Sequence, residues 1–276
     1  MATAIFELFG LDPAYFLKSF FEVCLISLFI LCFAHSWWVH GWKRTLREFS
    51  AWFFLTAAVE NIGVLCGAYV YPGFHFYIYA TPLLNPASWV AIVYIVIEFT
   101  NRVVYGPKSL KTYEVDGNRP EKEDFALLRG SFLKTLVLLA VIDATLLVMI
   151  DLLEDPLASI YNWWIWVPYQ EGVKTIGPGV VNPYNFSNHV WMTTPDNPIS
   201  NFFSRFFPNG LRYPTRPLGI PLTNFIDWFL LVFMFSFSLR WVEFKHAWSE
   251  KKKTIVLGAL MIAISIIITA TILWNL

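Results

Sequence analysis

From Ile255 to Trp274 the chain runs for 20 residues without one charged side chain. A helix needs about 20 largely apolar residues to cross a hydrocarbon core about 30 Å thick, at about 1.5 Å per residue. Inside lipid each backbone N–H and C=O must find its partner within the segment, so a run of this kind is helical. Five further stretches qualify: Tyr15–Val39, Phe49–Val70, Leu83–Tyr105, Phe132–Leu153 and Leu222–Trp241. Composition agrees, because 57% of residues are hydrophobic and only 14% charged, against about 25% charged in soluble domains. The expected fold is an all-α integral membrane protein. About six transmembrane helices form one polytopic domain over residues 1–276.

Orientation follows from basic residues, which accumulate in cytoplasmic loops. With the N-terminus outside, 15 of the 20 Lys and Arg fall in or beside the inner loops, Arg240 among them. The expectation is a multi-pass protein of the cell membrane with both termini extracytoplasmic. Residues 154–221 then form an extracytoplasmic elaboration rich in Pro, Asn and aromatic residues. Its aromatic content argues against disorder, and it reads as a headgroup-level belt or as a functional lid. The apolar piece from Ile160 to Pro168 is too short to span, which suggests a re-entrant or interfacial segment. Gly106–Arg129 reads as a solvated connector, and Asn185-Phe-Ser187 is a glycosylation sequon on the outer side. The first apolar run is longer than a signal-peptide core and lacks a small-residue cleavage site, so it reads as a helix of the mature chain. A formal net charge of zero provides no field to recruit nucleic acid. Cys24, Cys32 and Cys66 sit in apolar runs, as packing residues do.

Ionisable groups inside lipid are costly, so they face the bundle interior and pair or act. Glu60 and Asp143 each lie about eleven residues from the inner ends of their expected helices, which would set them at similar depth. Asp151 follows Asp143 by eight residues and so shares roughly its helix face. Glu154 and Asp155 stand at the outer mouth, where Asn224 and Asp227 enter the fifth helix. Glu98 lies toward the inner end, as a snorkelling or Arg102-paired residue. His35 and His40 are five apart, not on one helical face, and with His75, His189 and His246 they make no metal-binding spacing. No metal is expected. Neither a Gly-rich phosphate loop nor Gly-x-Ser-x-Gly occurs.

Three motifs follow in order. Glu60 is followed by Gly63, Gly67, Tyr69 and Tyr71; Asp151-Leu-Leu-Glu-Asp155-Pro156 leads to Trp163-Trp-Ile-Trp166; Gly219-Ile-Pro-Leu-Thr-Asn224 runs to Asp227 and Trp228. Together, over roughly Ala51 to Phe233, they resemble the CruF-type carotenoid biosynthesis membrane proteins, which include bisanhydrobacterioruberin hydratases and carotenoid 1,2-hydratases. The chain departs from that pattern in a longer stretch between Trp166 and Gly219, in Asp227 where the family has a small residue, and in its helix count. The resemblance implies addition of water across the terminal C1=C2 bond of an acyclic carotenoid, with no cofactor. The substrate would be a lipid-soluble polyene taken from the bilayer. Such chemistry needs a positioned acid, aromatic faces to tolerate a cation, and controlled water.

In that frame Asp151 or Asp155 is the expected proton donor, Glu60 the second candidate, and Asn224 the holder of the attacking water. Pro156 is expected to end the fourth helix and Pro221 to open the fifth, so that both meet at the outer mouth. Tyr69, Tyr71, Trp163, Trp166 and Trp228 are the expected walls for substrate, and Asp143 is expected to be structural. Other readings are a different intramembrane enzyme acting on isoprenoids or lipids, a non-catalytic subunit of a larger membrane complex with protein partners, and a transporter. The absence of inverted repeats argues against the last.

Overall fold

The computed structural model describes residues 13–65, 69–71, 73–105, 132–160, 163–166 and 222–275. Six long helices dominate: α1 (Pro13–His40), α2 (Trp42–Leu65), α3 (Leu84–Tyr105), α4 (Phe132–Ile160), α5 (Leu222–Glu243) and α6 (Glu250–Asn275). Five of them are long and apolar enough to cross a bilayer, and α2 is the exception. The chain is therefore a multi-pass, all-α membrane protein. Four two-residue strands complete the described structure: β1 (Tyr69–Val70), β2 (Tyr77–Ile78), β3 (Thr81–Pro82) and β4 (Ile165–Trp166).

Helix α2 explains its own polarity by its position, because it packs against α1, α3 and α6 at once. These neighbours cover one face of it, and Arg47, Glu48 and Glu60 lie on that buried face, where charge can be paired. Trp52, from the middle of α2, lies 4.3 Å from the Phe235 ring of α5, between Leu55, Leu231, Val232 and Leu257. Outward positions such as Phe54, Val103, Leu153 and Ile262 remain exposed and apolar, as a lipid-facing surface requires. A single residue joins α1 to α2. Gly41 adopts φ 77° and donates its N–H to Trp37 O at 3.0 Å, a helix stop that a side chain would strain.

Several boundaries differ from the sequence reading. The second helix starts at Trp42 and ends at Leu65, and Tyr69–Val70 is strand. The fourth continues through Pro156 to Ile160, so this proline does not end it. A proline four residues from a helix end removes one ladder bond and leaves the preceding turns intact. Beyond Ile160 the chain returns as β4, pairing antiparallel with β1 through Tyr69↔Trp166 and Val70↔Ile165. Ile165–Trp166, within the Ile160–Pro168 piece, is thus tied to the connector after α2. Strands β2 and β3 form a hairpin turned at Tyr79, and Ala80 N donates to Asn61 Oδ1 of α2 at 2.8 Å. Cys66, His189, the Gly106–Arg129 connector, the sequon at Asn185 and residues 167–221 of the outer elaboration lie outside the described residues.

Candidate functional site

The C-terminal halves of α2 and α4 and the first turn of α5 converge beneath the β1–β4 pair. Glu60 lies five residues before the end of α2, and its Oε2 accepts hydrogen bonds from Tyr71 at 2.6 Å and Tyr69 at 2.9 Å. Tyr69 reaches back over α2 only because residue 63 is glycine: a Cβ there would collide with the Tyr69 ring and hydroxyl. Burial, and then the charge of Glu60, push both phenols well above their ordinary tyrosine range, so both stay protonated as donors.

Across from Glu60, Asp151 and Asp155 stand one turn apart on α4, both buried. The Asn224 amide of α5 bridges them, donating to Asp155 Oδ2 at 2.6 Å and to Asp151 Oδ2 at 3.2 Å. With its amide hydrogens directed at the carboxyls, Asn224 keeps its carbonyl oxygen to accept from water. Between these groups lies a cavity of about 30 Å³, which Glu154 also lines. That is room for about one or two water molecules. No Lys, Arg or His lines it among the described residues, beside its four carboxyls.

Aromatic rings close the sides. Trp228 of α5 stacks on Trp89 of α3 at 3.8 Å, and Trp164 meets the Tyr71 ring edge-on at 6.0 Å. The sequence reading chose Trp163 and Trp166 as walls. Trp163 stacks on Phe21 of α1 at 3.9 Å and is not among the residues lining the cavity, and the backbone of Trp166 pairs in β4 with Tyr69. The alternation of a bent connector selects Trp164. Asn85, Ser88 and Trp89 of α3 also line the cavity and were missed. They are uncharged and sit in an apolar run, and only their i, i+3, i+4 spacing hints at a shared face.

Other expected members are elsewhere. Glu60 and Asp143 are not at one depth, because α2 begins seven residues earlier than its apolar run suggested. Asp143 lies nearer the far end, fully buried, and bonds Arg240 and Ser236 of α5. Arg240 is thus an interior cation, not a loop residue, and it also donates to Asn101 of α3 at 3.2 Å. Asp227 faces Thr271 of α6, outside the cavity. Glu98 pairs with His40 at 2.9 Å, not with Arg102. His35 and His40, taken to be on separate faces, both meet Tyr94 of α3, at 5.9 and 6.4 Å between ring centres. Among the described residues, no group of three His, Cys, Asp or Glu is arranged to hold a metal ion. Comparison with protein-family models, curated proteins and solved structures finds no match to this chain.

Proposed function

We propose that the chain is an intramembrane hydratase that adds water to the terminal alkene of an acyclic isoprenoid, a carotenoid in the resemblance noted above. The observation that carries this reading is the set of carboxyls around a water-sized cavity, with no counter-cation among the described residues. In the proposed step a carboxyl of the Asp151–Asp155 pair gives its proton to C2 of the C1=C2 bond. The π pair forms the new C–H bond and leaves a tertiary cation at C1. Water held at the Asn224 carbonyl adds its oxygen to C1, and the proton it then sheds returns to the carboxylate. Atoms and charge balance, and no cofactor takes part. The stacked Trp89–Trp228 pair and the Trp164 face are suited to a transient cation. Glu60, held by two phenols, is the second acid.

The test is carotenoid extraction from a host that makes the unhydrated precursor, with the wild type and with Asp151→Asn, Asp155→Asn and Glu60→Gln. Wild type should yield the tertiary alcohol, and the near-isosteric variants should lose about 10²–10⁴-fold in rate while staying folded. Near wild-type hydration in all three would remove the acid assignment. One observation favours a second reading, a non-catalytic subunit of a membrane complex: the cavity admits water but not an isopropylidene end group unless a wall moves. A wild type that yields no alcohol yet co-purifies with other membrane proteins would decide for that reading.

A further inference from the structure

At the opposite end of the bundle a second cavity, of about 400 Å³, opens between the start of α2, the end of α5 and the start of α6. That volume falls in the range of about 300–1,000 Å³ typical of small-ligand sites. Its walls carry Lys43, Arg44 and Arg47 of α2 and Lys253 of α6, with Glu243 and Glu250 between them. The two carboxylates are mostly committed to Arg47, at 2.6 Å each. Lys253 donates to Glu243 O at 3.4 Å and lies 3.5 Å from the Glu243 carboxylate and 4.0 Å from Glu250. Among the described residues no carboxylate is within ion-pair distance of Lys43, whose Nζ lies 5.9 Å from the Trp42 ring centre.

Two further features point to an anion. Helix α2 opens into this cavity behind Gly41, which has no side chain to cap the first-turn N–H groups. His40, buried and lining the same space, is bonded through Nε2 to Glu98, and its Nδ1 has no hydrogen-bond partner among the described residues. Trp42 lines the cavity, Trp37 and Trp38 are exposed at the end of α1, and Lys245 and Lys252 sit over Trp241 and Trp248. Tryptophan and lysine in this mixture belong at the headgroup level of a bilayer.

We infer that this cavity binds the phosphate-bearing headgroup of an anionic membrane lipid, with Lys43, Arg44 and the α2 N-terminus holding the phosphate. The test uses full-length protein in zwitterionic detergent, titrated with phosphatidylglycerol, phosphatidylcholine or inorganic phosphate and read by native mass spectrometry. Phosphatidylglycerol should bind saturably and at least about tenfold tighter than phosphatidylcholine. Lys43→Gln should weaken it about fivefold, and Lys43→Gln with Arg44→Gln about 25-fold. Lys245→Gln removes an equal charge at the same end outside the cavity and should change binding less than about twofold. Equal binding of the two lipids overturns the site, as does a Lys245 effect as large as that of Lys43. Competition by inorganic phosphate at the same concentrations as the lipid overturns the assignment to a lipid. Lys43 is exposed, so its single variant tests the site even if loss of Arg44 disturbs folding.

Discussion

Two groups of buried acids in the bundle have different partners. At the β1–β4 end, Glu60, Asp151 and Asp155 meet neutral donors, namely two phenols and one amide. Toward the other end, among the described residues, Asp143 lies against Arg240, Glu243 and Glu250 share Arg47, and Glu98 is hydrogen-bonded to the His40 ring. An acid neutralised by a fixed cation has no proton to give. One neutralised by its own proton can donate it. The two halves thus differ in the partners given to the same residue type, and in the proposed hydration only the acids beside neutral donors supply the proton.

The sharpest way to break this comparison is to make one change at both ends. Asp143→Asn leaves Arg240 as an uncompensated buried charge and should cost about 3–5 kcal/mol. Asp151→Asn, beside an amide, should cost about 1 kcal/mol or less. Thermal unfolding in detergent compares them directly, and Asp143→Leu with Arg240→Met should recover most of the loss. Equal destabilisation by the two amide variants would mean that the ends do not differ.

A smaller effect is expected at Gly63. Gly63→Ala sets a methyl group where the Tyr69 ring lies, which should cost about 1–3 kcal/mol and move the Tyr69 donor off Glu60. Gly258→Ala, with nothing within 4 Å of the added carbon, is the matched control and should be near neutral. The smallest effect is a slope in pH. Both tyrosines hold their protons more tightly folded than unfolded, so their contribution is complete below pH about 10 and falls as pH rises above it. Tyr69→Phe with Tyr71→Phe should flatten the alkaline loss of stability relative to wild type, by up to about 1.4 kcal/mol per pH unit and tyrosine. An unchanged slope would show that neither phenol is buried as described.

Much of this architecture is legible in the chain because lipid imposes a simple rule. Apolar runs of spanning length locate five helices with small errors at their ends. Helix α2 is harder, since its first two turns are charged and look like a loop. Their partners Glu243 and Glu250 stand 196 and 203 positions away from Arg47, where no local pattern reaches them. Arg240 was misplaced for the same reason: near a helix end a cation looks cytoplasmic until its acid, Asp143, is seen. Within the candidate site the grouping of Glu60, Asp151, Asp155 and Asn224 was legible, because charge in an apolar run is conspicuous. Trp164 over Trp163 was not, since one residue of phase in a bent connector reverses which ring points inward.

The pairing of β1 with β4 has a mechanical consequence. It fastens the connector after α2 to the connector after α4, so Tyr69 and Tyr71 travel with Trp164. Lifting that clasp to admit a guest would take both phenols from Glu60 and uncover Asp155 in one movement. In the proposed hydration, entry and acidity would then be coupled, because the part that lifts is the part that holds Glu60.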